Sequence, residues 1–384
     1  MRFALPSSIW MGFYYAFFFG VFGILLPFWA LWLKGEGIST EMIGSMLAFA
    51  LVARSAGALL LTRNLVSTTS LLTRVQRLTL TAMVAFSGFY LIENVYAIFL
   101  LVILTNFIFS PLMALGETIG AKLVRYNNMD YGRVRLWGSI GFMLSSALTG
   151  FLVEEFDHRI ILLSIIVGLG ILFLLTITPA KNMPEGRTAT SKPSSGILTI
   201  LKRPAFWPFL AITSLLQGAH AAYYGFGAVY WQDIGISEIY IGYFWSVGVA
   251  GEILFLAFGK RIFGNVSIAM MFVIAAAGSV LRWTTLGYAV DVTPIMLSQL
   301  LHGVTFGVAH LASMRYMAER VSEEDAVATQ AIYAALPFSL AIALLTFVSG
   351  LFYPLVKADI FIYMALAVLP VFLIARSKHI SVIK

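Results

Sequence analysis

The amino-acid sequence predicts an all-α membrane protein, with twelve transmembrane helices in two pseudo-symmetric six-helix bundles. Three observations carry that expectation. Of 384 residues, 60% are hydrophobic and only 11% charged, against roughly 25% charged in an ordinary soluble domain, so lipid must be the solvent for most of the chain. The stretch from Phe28 to Arg63 recurs in weakened form from Phe226 to Arg261, 198 positions on (235 minus 37). Finally, Lys and Arg crowd into alternate loops.

A bilayer core of ~30 Å asks for roughly 20 apolar residues per helix. Read by that rule, the spans fall at about 9–33, 42–62, 76–93, 96–121, 134–153, 159–179, 206–231, 239–259, 267–288, 293–314, 326–354 and 358–376. The first is too long for the apolar region of a cleavable leader and is expected to stay as the first membrane helix. With the amino terminus inside, residues such as Arg74, Arg77, Lys122, Arg125, Lys181, Arg203, Arg261 and Arg320 fall in cytoplasmic loops, and Arg376, Lys378 and Lys384 in the tail. Only Lys34, Arg159 and Lys357 fall in external loops. That asymmetry places both termini in the cytoplasm. Between spans six and seven, residues 181–203 are rich in Pro, Gly, Ser and Thr and read as a cytoplasmic linker between bundles 1–180 and 204–384.

The repeat is clearest at Gly37-Ile38-Ser39 with Ile43-Gly44, matched by Gly235-Ile236-Ser237 with Ile241-Gly242. Its shared centre holds opposite charges, Arg54 in one copy and Glu252 in the other. Each lies near mid-membrane, about 18 Å into its span at 1.5 Å per residue. A charge there costs roughly 2.5–3.5 kcal/mol on insertion scales, so a functional role is the default. A guanidinium suits a carboxylate, and a desolvated Glu can hold a proton near neutrality. The competing reading is a structural ion pair.

Glu117 and Arg135 form a second candidate pair near the cytoplasmic ends of neighbouring spans, below a helix loosened by Pro111. A pair snorkelling to water is the alternative there. Arg282 sits in the outer part of span nine. His302 and His310, eight residues apart in span ten, fall on one helical face and suit a proton relay, although a core histidine needs no such role. His220, with Gln217, Tyr223 and Tyr224, reads as cavity lining. Cysteine is absent, no histidines share metal-ligand spacing, and phosphate loops and nucleophile motifs are missing. Neither an enzyme, a metal site nor ATP-driven pumping by this chain is expected. The net charge of +7 lies in short loops between spans and does not point to nucleic acid.

Asp130-Tyr-Gly-Arg-Val-Arg-Leu-Trp-Gly-Ser139, Gly218-Ala-His-Ala-Ala-Tyr-Tyr-Gly-Phe226, Leu301-His-Gly-Val-Thr-Phe-Gly-Val-Ala-His310 and Phe28-Trp29 with Trp32-Leu33-Lys34-Gly35 resemble motifs of the 3-phenylpropionic acid transporter group of the major facilitator superfamily. The resemblance runs along essentially the whole chain. It implies a proton-coupled symporter importing a small aromatic carboxylic acid across the inner membrane, as a monomer driven by the proton gradient without a cofactor. Substrate would meet Arg54, Glu117, Arg135, His220, Tyr223 and Tyr224. Protons would be handled by Glu252, Arg282, His302 and His310. More distantly the chain resembles oligosaccharide–proton symporters of the lactose permease type, in which the positions of Glu117 and Arg135 bind sugar. That group carries a glutamate where this chain has Thr305. Oligosaccharide–proton symport is therefore the alternative.

Overall fold

The repeated Gly-Ile-Ser is a repeated helix stop. In the computed structural model, which describes residues 4–62, 67–178, 180–184 and 196–381, Gly37 and Gly235 both take left-handed conformations, φ 78° and 83°. Gly37 N–H donates to Lys34 O at 2.9 Å and Ile38 N–H to Leu33 O at 3.2 Å. The second copy repeats both bonds, Gly235 to Gln232 O at 3.0 Å and Ile236 to Trp231 O at 2.9 Å. This is a Schellman stop, in which glycine tolerates positive φ while two orphan carbonyls find donors. Burial repeats too: Phe28 and Phe226 are fully buried, Ala30 and Ala228 each 4% exposed. Arg63, Arg187, Lys192, Lys384 and residues 185–195 of the 181–203 linker lie outside the described residues.

The helices are α1 (Ser7–Gly35), α2 (Thr40–Leu61), α3 (Thr68–Ser87), α4 (Val95–Phe109), α5 (Pro111–Asn127), α6 (Tyr131–Phe156) and α7 (Arg159–Ile177), then a short α8 (Ile197–Leu201). There follow α9 (Trp207–Gly218), α10 (Ala221–Asp233), α11 (Glu238–Phe263), α12 (Ile268–Tyr288), α13 (Val292–Leu300), α14 (Ala309–Arg320), α15 (Glu323–Ala335), α16 (Ile342–Val356), α17 (Asp359–Ala367), α18 (Val371–Ile374) and α19 (Lys378–Ser381). Wide π turns, Gly303–Val308 and Leu336–Ala341, join α13 to α14 and α15 to α16. Two-residue strands, β1 (Leu5–Pro6) and β2 (Ala180–Lys181), pair in parallel.

Among the described residues nine helices are long and apolar enough to cross a membrane. The expected third span is the helix Thr68–Ser87, which carries Arg74 and Arg77. The expected seventh is split at Ala219-His220, and the twelfth is the shorter Asp359–Ile374.

The chain divides into two compact units. One holds Met1–Ser39, Phe49–Thr190 and Ser237–Ser246; the other holds Thr40–Ala48, Ser191–Ile236 and Val247–Lys384. In the first, α1 is the core: Trp10 Nε1 donates to Leu175 O at 3.1 Å and Tyr14 Oη to Leu112 O at 2.6 Å. A Cβ on Gly141 would lie 2.1 Å from Ala16 O, so α6 reaches α1 only through glycine. In the second unit Arg203 forms a two-pronged ion pair with buried Asp325, tying the segment after α8 to the start of α15.

Proline shapes the wall around Arg54. Pro111 has no N–H, which frees the carbonyl of Phe107 and separates α4 from α5. Gly57 lies against that carbonyl, where a Cβ would come within 2.0 Å of the oxygen. Ser110 donates its hydroxyl to the Arg54 carbonyl at 2.6 Å. The expected loosening at Pro111 thus holds α2 at the residue that carries its charge.

Candidate functional site

The first unit presents two basic groups in different states. Glu117 is caged: Tyr131 Oη donates to its Oε2 at 2.8 Å and Tyr15 Oη at 3.1 Å, while Arg135 Nε is 3.3 Å from Oε1. Three donors, one of them cationic, thus converge on the one carboxylate. Arg135 lies over Phe19, 4.0 Å from the ring centre. Its charge is therefore matched. Arg54 differs, lying half-buried and 5.0 Å over the Phe22 ring, with no side-chain hydrogen bond or ion pair among the described residues.

The second unit gathers a polar cluster inside the apolar helices, and glycine again sets the spacing. A Cβ on Gly303 would lie 2.7 Å from Gly251 O, and one on Gly278 2.6 Å from Val304 Cγ1. The first approach brings α11 to the His302 turn beside Glu252. The second brings α12 alongside, so that Arg282, one turn further on, faces the same turn.

Arg282 is fully buried. Its Nη1 is 2.9 Å from His302 Nδ1 and 3.1 Å from Thr305 Oγ1, and its Nη2 is 2.9 Å from Gln299 Oε1. Its Nε is buried with no hydrogen-bond partner. Tyr223 and Trp283 offer ring faces 4.5 and 4.6 Å from the guanidinium carbon. No carboxylate pairs directly with it among the described residues.

Hydrogen-bond polarity follows from chemistry. A guanidinium only donates, so His302 Nδ1 is the acceptor and its N–H sits on Nε2, directed at Glu252 Oε2 3.8 Å away. That separation is an ion-pair distance, too long for a hydrogen bond. Carbonyls only accept, so His220 carries its N–H on Nδ1, 3.0 Å from Leu216 O. Its Nε2 then accepts from Thr305 Oγ1 at 3.2 Å. The break between α9 and α10 explains the Leu216 bond. His220 N–H has turned to Gln217 O, and the imidazole fills the place that the backbone left on Leu216.

Glu252, Arg282 and His302 thus come together in one cluster. His220 and Tyr223, expected along the substrate, join the same cluster, and Tyr224 stacks obliquely on both, 5.5 and 5.6 Å between ring centres. His310 does not join. Phe306 stacks between the histidines, 5.3 Å from His302 and 6.0 Å from His310, and His310 Nδ1 lies 3.2 Å from Tyr333 Oη. Gln299 was missed by sequence reasoning and Thr305 was noted only as a departure. The available signal was an amide and a hydroxyl within an apolar span.

The profile of the MFS_1 like family matches residues 8–365. The chain is 38% identical over 368 residues, 95% of its length, to a protein of Escherichia coli (strain K12) named a probable 3-phenylpropionic acid transporter, covering 96% of it. It is 26% identical over 357 residues to the maltose permease of Geobacillus stearothermophilus, covering 90% of this chain and 88% of that one. A crystal structure of a mutant nucleoside transporter NupG shares the fold, with a TM-score of 0.83 and 16% identity over 97% of this chain and all of that one. The chain is a multi-pass membrane transporter and belongs to the MFS_1 like family, within the major facilitator type.

Proposed function

We propose that this chain is a proton-coupled symporter that imports a small aromatic carboxylic acid, such as 3-phenylpropionate, across a bacterial inner membrane by alternating access. The observation that carries the reading is the sequence Arg282–His302–Glu252, the first two buried and the third half-buried, in which a cation, an imidazole and a carboxylate lie within 4 Å of one another in turn. Protonatable groups at such depth are costly and belong to ion pathways. A carboxylate substrate is supported by the guanidinium groups without a carboxylate partner, Arg54 in one unit and Arg282 in the other. Arg135 is already matched by Glu117. An aromatic body is supported by the ring faces beside both cations, and by the name of the Escherichia coli relative.

The architecture that goes with this function is twelve crossings in two bundles, 1–180 and 204–384, joined by the linker 181–203. Both termini are cytoplasmic, and a monomer works on the proton gradient alone. A second reading, oligosaccharide–proton symport, is favoured by the Glu117–Arg135 pair beside the Tyr15 and Phe19 rings.

Energy-depleted cells producing the chain decide between them. Adding 3-phenylpropionate should alkalinise the medium, whereas lactose or maltose should not. Alkalinisation by the sugar alone establishes the second reading. No response to either, with no labelled uptake, removes both.

A further inference from the structure

Resting on that reading, we infer that Arg282 is the anion site at which substrate and proton are coupled, and that His302 Nδ1 receives the proton. Two independent features lead there. The guanidinium has a buried donor, Nε, with nothing to bond, and such donors are rare in folded proteins because each costs the desolvation of the group. The same guanidinium occupies, through Nη1, the one lone pair that His302 has to offer a proton.

A carboxylate arriving at Arg282 supplies the acceptor that Nε lacks, and it competes with a neutral imidazole for Nη1. Charge-assisted bonds to an anion are the stronger. As Nη1 turns to the carboxylate, Nδ1 of His302 is left bare in a buried site. A proton drawn from water then bonds to Nδ1. The imidazolium formed has Glu252 on its Nε2 side, 3.8 Å away. His220, Tyr223 and Phe306 also face the ring, at centroid distances of 5.6, 6.4 and 5.3 Å. His220 stays neutral, because its Nδ1–H is committed to Leu216 and its Nε2 to Thr305.

Charge balance makes the two ligands interdependent. With His302 neutral, Arg282 and Glu252 cancel. Anion alone leaves the cluster at minus one, proton alone at plus one, and both together restore zero. With Arg282 and His302 both buried, unbalanced charge is penalised. Each ligand therefore raises the affinity for the other, as linkage requires.

The test uses purified full-length protein in weakly buffered detergent solution with a pH dye. Sodium 3-phenylpropionate is added, and its binding is measured in parallel. Wild type should take up about one proton per anion bound where His302 is otherwise neutral. His302→Gln should still bind, more weakly, with proton uptake gone. Arg282→Gln should bind at least about tenfold more weakly, the loss of one charge-assisted contact. If Arg282→Gln does not fold, Arg282→Lys and His302→Gln carry the test, since Lys keeps the charge but not the planar fork.

Undiminished proton uptake by His302→Gln overturns the inference, as does unchanged affinity in a folded Arg282 variant. In either case the symport reading survives if wild type still accumulates the acid. If wild type neither binds nor transports aromatic carboxylates, the functional reading itself fails.

Discussion

Arg282 Nη1 lies 2.9 Å from His302 Nδ1, and because a guanidinium has no lone pair, the contact exists only while that imidazole nitrogen is bare. Proton and guanidinium compete for one pair of electrons. In the adjoining contact Thr305 accepts from Arg282 and donates to His220, which fixes the hydroxyl hydrogen and the His220 tautomer together.

Glu252 faces the Nε2 side of His302 at 3.8 Å, and on the proposed coupling its negative charge is what would let a proton reside there. Glu252→Gln should therefore lose uphill accumulation while sparing exchange of labelled for unlabelled substrate. Both are measured in proteoliposomes, with and without an imposed pH gradient. Full accumulation by this variant removes Glu252 from coupling.

Arg54 makes no side-chain hydrogen bond or ion pair among the described residues, only the contact with the Phe22 ring, so its charge contributes little to stability. Arg54→Gln is expected to raise the apparent KM for an anionic substrate by about tenfold, ~1.4 kcal/mol, without lowering the melting temperature. A neutral ester of the same acid, if it binds, should lose nothing. Equal losses for acid and ester would deny Arg54 its role in attracting the anion.

The Glu117 cage has structural value. Its two charged side chains are 28% and 32% exposed, so solvent screens the pair and a coupling of ~1 kcal/mol is expected between Glu117→Gln and Arg135→Gln. Tyr131→Phe should cost about 1 kcal/mol through its hydrogen bond. A double-mutant thermal-denaturation cycle with zero coupling contradicts this.

Gly37 and Gly235 have nothing within 4 Å of an added Cβ, so only the positive φ opposes substitution. Replacing either with Ala should cost about 1–2 kcal/mol, and Asn less. Similar losses at both positions are expected in unfolding titrations. A free substitution at one site but not the other would break the equivalence.

One anion and one proton together move no net charge. Uptake should follow the pH gradient and ignore a potassium diffusion potential set with valinomycin. Acceleration by an inside-negative potential requires a second proton.

Much of this was legible because lipid enforces it. Hydropathy marked twelve spans, and nine helices among the described residues are long and apolar enough to cross a membrane; the charges within them announced themselves by their cost in hydrocarbon. The Gly-Ile-Ser repeat marked two identical helix stops, since backbone geometry and glycine are tightly linked. Other features depend on which neighbours the helices meet. Thr305 and Gln299 are ordinary span residues until Gly278 and Gly303 let α12 and α11 close on their turn. The split at His220 has no proline to signal it, and the histidine takes over a carbonyl that only the bent helix exposes. His302 and His310 did share a face, yet periodicity alone gave no indication that Phe306 would stand between them.

That phenyl ring has a meaning for energy conservation. A relay of proton hops needs a lone pair at every step, and Phe306 has none. A proton held at His302 is cut off from a direct run to His310 and the Arg320 end of the helix. On the proposed coupling the ring would act as an insulator, keeping the gradient from being short-circuited through α14 when no cargo is aboard.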